Sequence, residues 1–297
     1  MAEIVVSRQE PSKGTRPDGA LNETEASRKV REMFTQIAPR YDLLNHILSL
    51  QMDRIWRART AKILQPILNL SDAKILDLCC GTGDLAFALS RRGKARVWGA
   101  DFAHTMLVRA RAKAAQASAE NGARAIPFVE TDALRLPFAD GAFDLVTAAF
   151  GFRNLANYKA GLLEIRRVLK TGGTIAILEF TEPKAGWFGD LYRWYFRAVL
   201  PRIGGLISGD KAAYTYLPKS VARFFQPAEF RELMLGKGFE SVEARVWTGG
   251  TVALHTGRKS PESKKEGKQR RRDSPATTKS RPPRKAGATK TSISREG

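Results

Sequence analysis

Apolar positions change their period along this chain. Over residues 27–70 they recur at helical spacing. Val30, Phe34 and Ile37 are four and three apart, and Pro39 interrupts the run. A second helical stretch then holds Leu43, Leu44, Ile47, Leu48 and Leu50, and a third holds Ile55, Trp56, Ala61, Ile63 and Leu64. From Ala73 onward, short apolar runs at 74–78, 96–100, 126–129, 143–149 and 174–180 alternate with helical stretches at 85–89, 104–119 and 158–169. That rhythm predicts a mostly parallel sheet covered by helices on both faces. The ending differs. A helix over 227–235 precedes two strands, 240–246 and 251–256, joined only around Gly249-Gly250. So short a link predicts an antiparallel hairpin, because a parallel crossover needs about a dozen residues.

Composition adds boundaries. Residues 1–26 are polar, contain Pro11 and Pro17, and are expected to form a flexible leader before a helical cap at 27–70 and a catalytic-size α/β domain at 71–257. With 43% apolar and 27% charged residues the chain reads as globular. No run reaches the ~20 apolar residues of a membrane span, and residues 1–22 lack a signal-peptide core. Cys79 and Cys80 are adjacent, which suits neither a disulfide framework nor a zinc site, so no metal is expected and a reducing cytoplasm is the default. The net charge of +20 is uneven: fourteen Lys/Arg against four Asp/Glu fall in residues 258–297, half of the total. This stretch has Ile293 as its single large apolar residue and is expected to be a disordered basic tail. It suits anionic lipid or nucleic acid, and equally a solvated extension.

The candidate chemistry starts at Asp77-Leu-Cys-Cys-Gly-Thr-Gly-Asp84, where a strand meets a helix. Gly81 and Gly83 permit a sharp turn and close backbone approach to a ligand. Asp101 ends the next strand, where an acid reaches ribose hydroxyls; together these features point to a nucleoside. The third glycine of a dinucleotide fingerprint is missing, and Asp84 at the helix start would repel a phosphate. S-adenosylmethionine carries a sulfonium and an ammonium but no phosphate, so Asp77 and Asp84 suit it. Asp132, followed by Ala133, is placed after the third strand to accept from an adenine amino group. The expected fold is therefore α/β of the class I SAM-dependent methyltransferase type. It is Rossmann-like, with a mostly parallel seven-stranded sheet, a C-terminal antiparallel hairpin and an N-terminal helical segment.

On these residues the chain resembles the ubiquinone/menaquinone biosynthesis C-methyltransferase family (UbiE/MenG type) over roughly residues 30–257. The matching stretches include Phe34-Thr-Gln-Ile-Ala-Pro-Arg-Tyr-Asp-Leu-Leu-Asn-His46, Leu136-Pro-Phe138, Phe150-Gly-Phe-Arg-Asn154, Arg167-Val-Leu-Lys-Thr-Gly-Gly173, Leu178-Glu-Phe180 and Ala253-Leu-His255. The glycine turn marks only the superfamily, whereas Phe-Gly-x-Arg-Asn marks the family. The resemblance implies cofactor contacts at Thr82, Asp101, Asp132 and Ala133. It also implies a prenylated quinol acceptor, with demethylmenaquinol favoured and the ubiquinone-pathway benzoquinol open. Some members carry serine where Ala149 stands, which removes a side-chain contact there.

Methylating a ring carbon beside a phenol needs that phenol deprotonated. Arg153, in the loop after the fourth strand, is assigned to phenolate stabilisation or to activating a water, since an arginine rarely accepts a proton. His46 is the candidate base because its ordinary pKa lies nearest neutrality, with Tyr41 and Asp42 beside it. Each has a plainer reading: Arg153 pairing with a carboxylate to hold its loop, His46 as a packed histidine. The aromatic-rich insertion at 181–226 reads as core or as a lid for a prenyl chain against a membrane surface. Peripheral contact at the inner membrane face and a homodimer are further expectations, and no specific nucleic acid is. Two rival readings are an RNA-directed methyltransferase and a non-catalytic scaffold at a membrane or ribosome. The first lacks the Asn/Asp-Pro-Pro-aromatic run after strand four.

Overall fold

Strand β1 (Lys74–Leu78) sends Ile75 into one hydrophobic cluster and Leu76 and Leu78 into another, on opposite faces of the sheet. Strand β4 (Phe143–Ala149) divides likewise, with Leu145 against Val146 and Ala148, and β5 (Leu169–Phe180) sends Ala176 and Leu178 one way and Ile175 and Ile177 the other. Both faces of these central strands are buried, which is why they read as continuous apolar runs. The structure, a computed structural model, describes residues 14–183, 186–195, 198 and 211–261.

Seven strands form one sheet in the order β3-β2-β1-β4-β5-β7-β6, with β2 at Arg96–Asp101, β3 at Phe128–Glu130, β6 at Phe239–Trp247 and β7 at Val252–Lys259. Strands β1 to β5 are parallel to one another, and β7 runs antiparallel to both β5 and β6. This is the class I methyltransferase sheet that the alternation of elements predicted. One face is covered by α5 (Asp84–Ser90) and α6 (His104–Asn121), through Leu85, Leu89, Leu107 and Ala110. The N-terminal helices α3 (Met52–Ile63) and α4 (Gln65–Leu68) add Trp56, Ala61 and Leu68 to that cluster. The other face is covered by α7 (Tyr158–Val168), through Leu162, Ile165 and Val168, and by a helix at Pro227–Leu235, through Phe230 and Met234.

The cap starts earlier than its apolar spacing indicated. Helix α1 spans Glu23–Ile37, because the Asn22 side chain accepts from the Glu25 backbone N–H at 2.9 Å and caps it. The expected leader is correspondingly shorter. Residues 1–13 lie outside the described residues, and the stretch from Gly14 is fastened to the domain. Thr15 N–H donates to Leu155 O at 2.8 Å, and Arg16 Nη1 donates to Ala156 O at 2.9 Å. Pro39 stands in a single 3-10 turn, Ala38–Arg40, from which α2 (Tyr41–Leu48) follows.

Of the insertion, α8 (Trp187–Trp194) and α9 (Lys211–Arg223) are described, and the Pro227–Leu235 helix is α10. A third cluster joins cap and insertion: Ile37 and Ala38 meet Ala103, Met106 and Val221, with Phe34, Tyr41, Tyr192, Tyr195 and Leu217 packed around them. The basic tail from residue 262 onward lies outside the described residues.

Candidate active site

Strand order reverses between β1 and β4, and the crevice at their carboxyl ends is where open α/β sheets bind ligands. Each strand leaves the sheet through a non-glycine residue in the left-handed region, Cys79 at φ 53° and Phe150 at φ 59°. The two turns touch, and a Cβ on Gly151 would stand 2.4 Å from the Cβ of Cys79. Gly83 caps α5 at φ 88°, and a Cβ there would press on the rings of Phe87 and Phe128. Burial pushes both cysteine thiols well up, so they remain neutral packing groups.

Three cavities meet at this crevice. The first is lined by Gly81, Asp101, Thr131, Asp132, Ala133 and Phe150, among others. Asp101 accepts from the Gly81 N–H at 2.9 Å and the Ala103 N–H at 2.8 Å. Its carboxyl is pushed up by burial against those backbone donors. Asp132 Oδ1 accepts from the Leu134 N–H at 2.9 Å. A second, small cavity adjoins it, with Asp77, Gly81, Thr82 and Asp84 on its wall. Asp77 Oδ1 accepts from the Thr147 hydroxyl at 2.8 Å, while Oδ2 is buried with no hydrogen-bond partner among the described residues. Burial pushes this carboxyl up to about 7. An orphaned buried carboxylate oxygen is costly unless a donor completes it, and an ammonium is such a donor.

The third cavity is the largest of the three, about 230 Å³, and rich in aromatic side chains, among them Phe34, Tyr41, Trp56, Phe150, Phe180 and Tyr192. Arg153 reaches it. Phe34, Tyr41 and Phe150 also wall the first cavity, and Tyr41 walls all three. The 3-10 turn and α2 place Tyr41 there, and burial pushes its phenol up, so it stays protonated and able to donate.

Arg153 sits in a 3-10 turn, Phe152–Asn154, and is buried with Glu179. Its Nη1 lies 3.0 Å from Glu179 Oε2 and also donates to Phe150 O, and its Nε donates to Ser220 Oγ at 3.3 Å. Burial disfavours the guanidinium charge, but Glu179 outweighs it and the pKa is raised. The plainer reading of Arg153, a carboxylate partner that holds its loop, is therefore present in the fold. The same side chain also lines the aromatic cavity.

His46 lines none of the three cavities. Its Nδ1 lies 2.8 Å from Asp53 Oδ2, and Asp53 does line the aromatic cavity, where it also accepts from Ser49 Oγ at 2.7 Å and from Arg57. Burial alone would raise the Asp53 carboxyl, but Arg57, Ser49 and His46 outweigh it and hold it low. Arg57 also reaches Asp84 at 3.4 Å. Lys113 of α6 reaches Asp84 at 2.5 Å and Asp42 at 3.2 Å, and the Thr82 hydroxyl donates to Asp42 at 2.5 Å.

Two sequence expectations change. Asp84 does not stand open to a sulfonium, because Arg57 and Lys113 already meet its charge. Thr82 spends its hydroxyl on the cap. His46, Asp53 and Asp84 bring donor atoms within 4.8 Å of one another, but Arg57 contacts both carboxylates where a cation would have to sit. Gly83 shapes the turn and lines no cavity among the described residues. Asp53, Arg57 and Glu179 were not foreseen. Asp53 and Arg57 did carry a signal, being i and i+4 on the buried arc of α3 that also carries Trp56.

The acids at the ends of β1, β2 and β3 and the Asp77 oxygen left unpartnered among the described residues fit S-adenosylmethionine. Comparison with known proteins decides the family. A model of the ubiE/COQ5 methyltransferase family matches residues 22–259. The chain belongs to the ubiE/COQ5 methyltransferase family. It is 50% identical over 226 residues to a demethylmenaquinone methyltransferase of Thermus thermophilus, covering 76% of this chain and 99% of that protein. It is 41% identical over 238 residues to a ubiquinone/menaquinone biosynthesis C-methyltransferase of Geotalea daltonii, covering 80% and 98%. A solved SAM-dependent methyltransferase from Thermotoga maritima superposes with a TM-score of 0.53 at 19% identity, covering 77% of this chain and 99% of that one, and shares the fold. This member of the ubiE/COQ5 family is thus an S-adenosylmethionine-dependent methyltransferase.

Proposed function

We propose that the chain methylates the ring carbon of demethylmenaquinol, the step that completes menaquinone. The observation that carries this is the shared wall of Phe34, Tyr41 and Phe150. It separates a cavity lined by Asp101 and Asp132 from an aromatic cavity suited to a fused-ring quinol. Held in the first cavity, S-adenosylmethionine would supply the methyl: the electron-rich ring carbon would take it as the C–S bond breaks, leaving S-adenosylhomocysteine, and the ring proton would pass to water.

Each residue then has a role. Asp101 holds the ribose hydroxyls, and Asp132 with Ala133 holds the adenine edge. Asp77 Oδ2 takes the ammonium, and the Gly81–Gly83 turn lets the backbone pass close to the ligand, with Thr82 tying that turn to the cap. Arg153, whose Nη2 has no hydrogen bond among the described residues, stabilises the acceptor phenolate. Tyr41 donates to the same oxygen from the boundary between the cavities. His46 is joined to the acceptor cavity through Asp53, so its part as base runs through a bridging water, with ionised Asp53 orienting the ring.

The acceptor carries a polyprenyl chain and comes from a bilayer, so this reading includes peripheral contact with a membrane. No described helix is long and apolar enough to cross one. The test is kcat/KM for reduced demethylmenaquinol against the reduced demethylated benzoquinone precursor of ubiquinone. The naphthoquinol is expected to be preferred; preference for the benzoquinol would reassign the pathway.

A further inference from the structure

The acceptor cavity reaches the surface at a lip that is apolar. Leu50, at the link between α2 and α3, lines the cavity and is 77% exposed. Helix α8 lines the same cavity through Tyr192 and, just beyond its end, Tyr195. On the neighbouring arc of α8, at positions i, i+4 and i+7, stand Trp187, Leu191 and Trp194, exposed by 80%, 53% and 60%. Two tryptophans and a leucine on one outward stripe are unusual for a surface that meets only water. Indole is the side chain that favours the boundary between lipid headgroups and acyl chains.

The charge beside the lip points to what covers it. Helix α3 begins two residues after Leu50. Its buried arc carries Asp53, Trp56, Arg57 and Thr60, and its outward arc carries Arg54, Ile55, Arg59 and Lys62. Arg54, Arg59 and Lys62 make no ion pair among the described residues, although the protein's acids are well used elsewhere. Exposed apolar groups beside unpaired cations match a surface with an oily interior and negative headgroups.

We propose that the α8 stripe Trp187–Leu191–Trp194, with Leu50 and the cationic outer arc of α3, is the face on which this protein docks to an anionic phospholipid bilayer. Docked there, the lip of the acceptor cavity opens at the depth where a prenylated quinol presents its ring. The chain of the substrate stays in the bilayer and only the ring enters the cavity of about 230 Å³. This inference rests on the prenylated-quinol reading for its purpose, but the docking is measured without it.

The test uses the full chain and sedimentation with vesicles of phosphatidylcholine alone or with a quarter of phosphatidylglycerol. Wild type is expected to bind the mixed vesicles and to bind the neutral ones more weakly. The variant carrying Trp187→Gln, Leu191→Gln and Trp194→Gln is expected to lose about tenfold or more in vesicle affinity. So is the variant carrying Arg54→Glu, Arg59→Glu and Lys62→Glu, whose changes are all on the surface and leave the fold's melting temperature as a control. Both should keep turnover of a short-chain, water-soluble demethylmenaquinol. Variants that bind as wild type does would give the membrane contact to the basic segment after residue 261 and overturn the proposal, as would a wild-type chain that ignores anionic vesicles. Wild type that binds vesicles but leaves every quinol unmethylated would instead break the substrate reading, with the docking face standing.

Discussion

Arg153 and Glu179 form a buried ion pair, Nη1 to Oε2 at 3.0 Å, and Arg153 lies on the wall of the aromatic cavity. Glu179 also accepts from the backbone N–H of Arg153 at 3.0 Å, so one carboxylate fixes both the loop and the guanidinium. Glu179→Gln keeps an acceptor for that N–H but removes the countercharge. We expect kcat to fall by about tenfold to a hundredfold, with KM for S-adenosylmethionine little changed. Glu179→Ala should in addition cost about 3–5 kcal/mol in denaturant unfolding, the usual result of stranding a buried charge.

Asp101→Asn tests the nucleoside cavity. The amide retains one acceptor for the Gly81 and Ala103 N–H groups but loses the charge that strengthens bonds to two ribose hydroxyls. Calorimetric titration should show S-adenosylmethionine affinity lower by about tenfold to a hundredfold, the equivalent of about 1.4–2.8 kcal/mol.

Asp77 makes binding and stability depend on pH. Burial pushes its carboxyl up to about 7, above its ordinary 3.8. The folded state therefore keeps a proton that the unfolded chain has released. Its contribution to stability is full below about pH 4 and is lost as pH rises through about 7. Asp77→Asn should remove that component from the pH dependence of melting in the ligand-free protein. An ammonium favours the carboxylate, so binding S-adenosylmethionine near pH 6 should release a proton, detected as a buffer-dependent heat that the variant lacks.

The His46–Asp53 pair is tested by His46→Ala with a short-chain quinol. We expect kcat to drop by about a hundredfold or more, with KM for S-adenosylmethionine little changed. Asp53→Asn, which keeps the ring but not its orienting charge, should lower kcat by a smaller factor. A kcat unchanged in both variants would leave His46 as a packing residue.

Most of the sheet was legible because its signals are local. Ile75, Leu76 and Leu78 announce a strand buried on both faces, and Gly81, Gly83 and Asp101 lie within a single βαβ unit. The cavity-lining acids of β1, β2 and β3 followed from that. The cap was harder. Nothing near Asn22 in the apolar spacing shows that its side chain starts α1, and the fastening of Thr15 to Leu155 joins residues 140 positions apart. The fate of Asp84 was misread for the same reason. Its charge is met by Arg57 from the cap and Lys113 from α6, and the position of neither is written in the turn itself. Glu179 had a signal that went unused, a lone acid inside the apolar end of β5, where burial demands a partner such as Arg153.

The decisive measurement is transfer of labelled methyl from S-adenosylmethionine to reduced demethylmenaquinol, for wild type and Arg153→Ala, with the product's methyl located by mass spectrometry. The predicted result is a ring-methylated menaquinol from wild type and a loss of about a hundredfold or more in the variant at unchanged S-adenosylmethionine affinity. Wild type that binds S-adenosylmethionine and transfers no methyl to the quinol ring would contradict it.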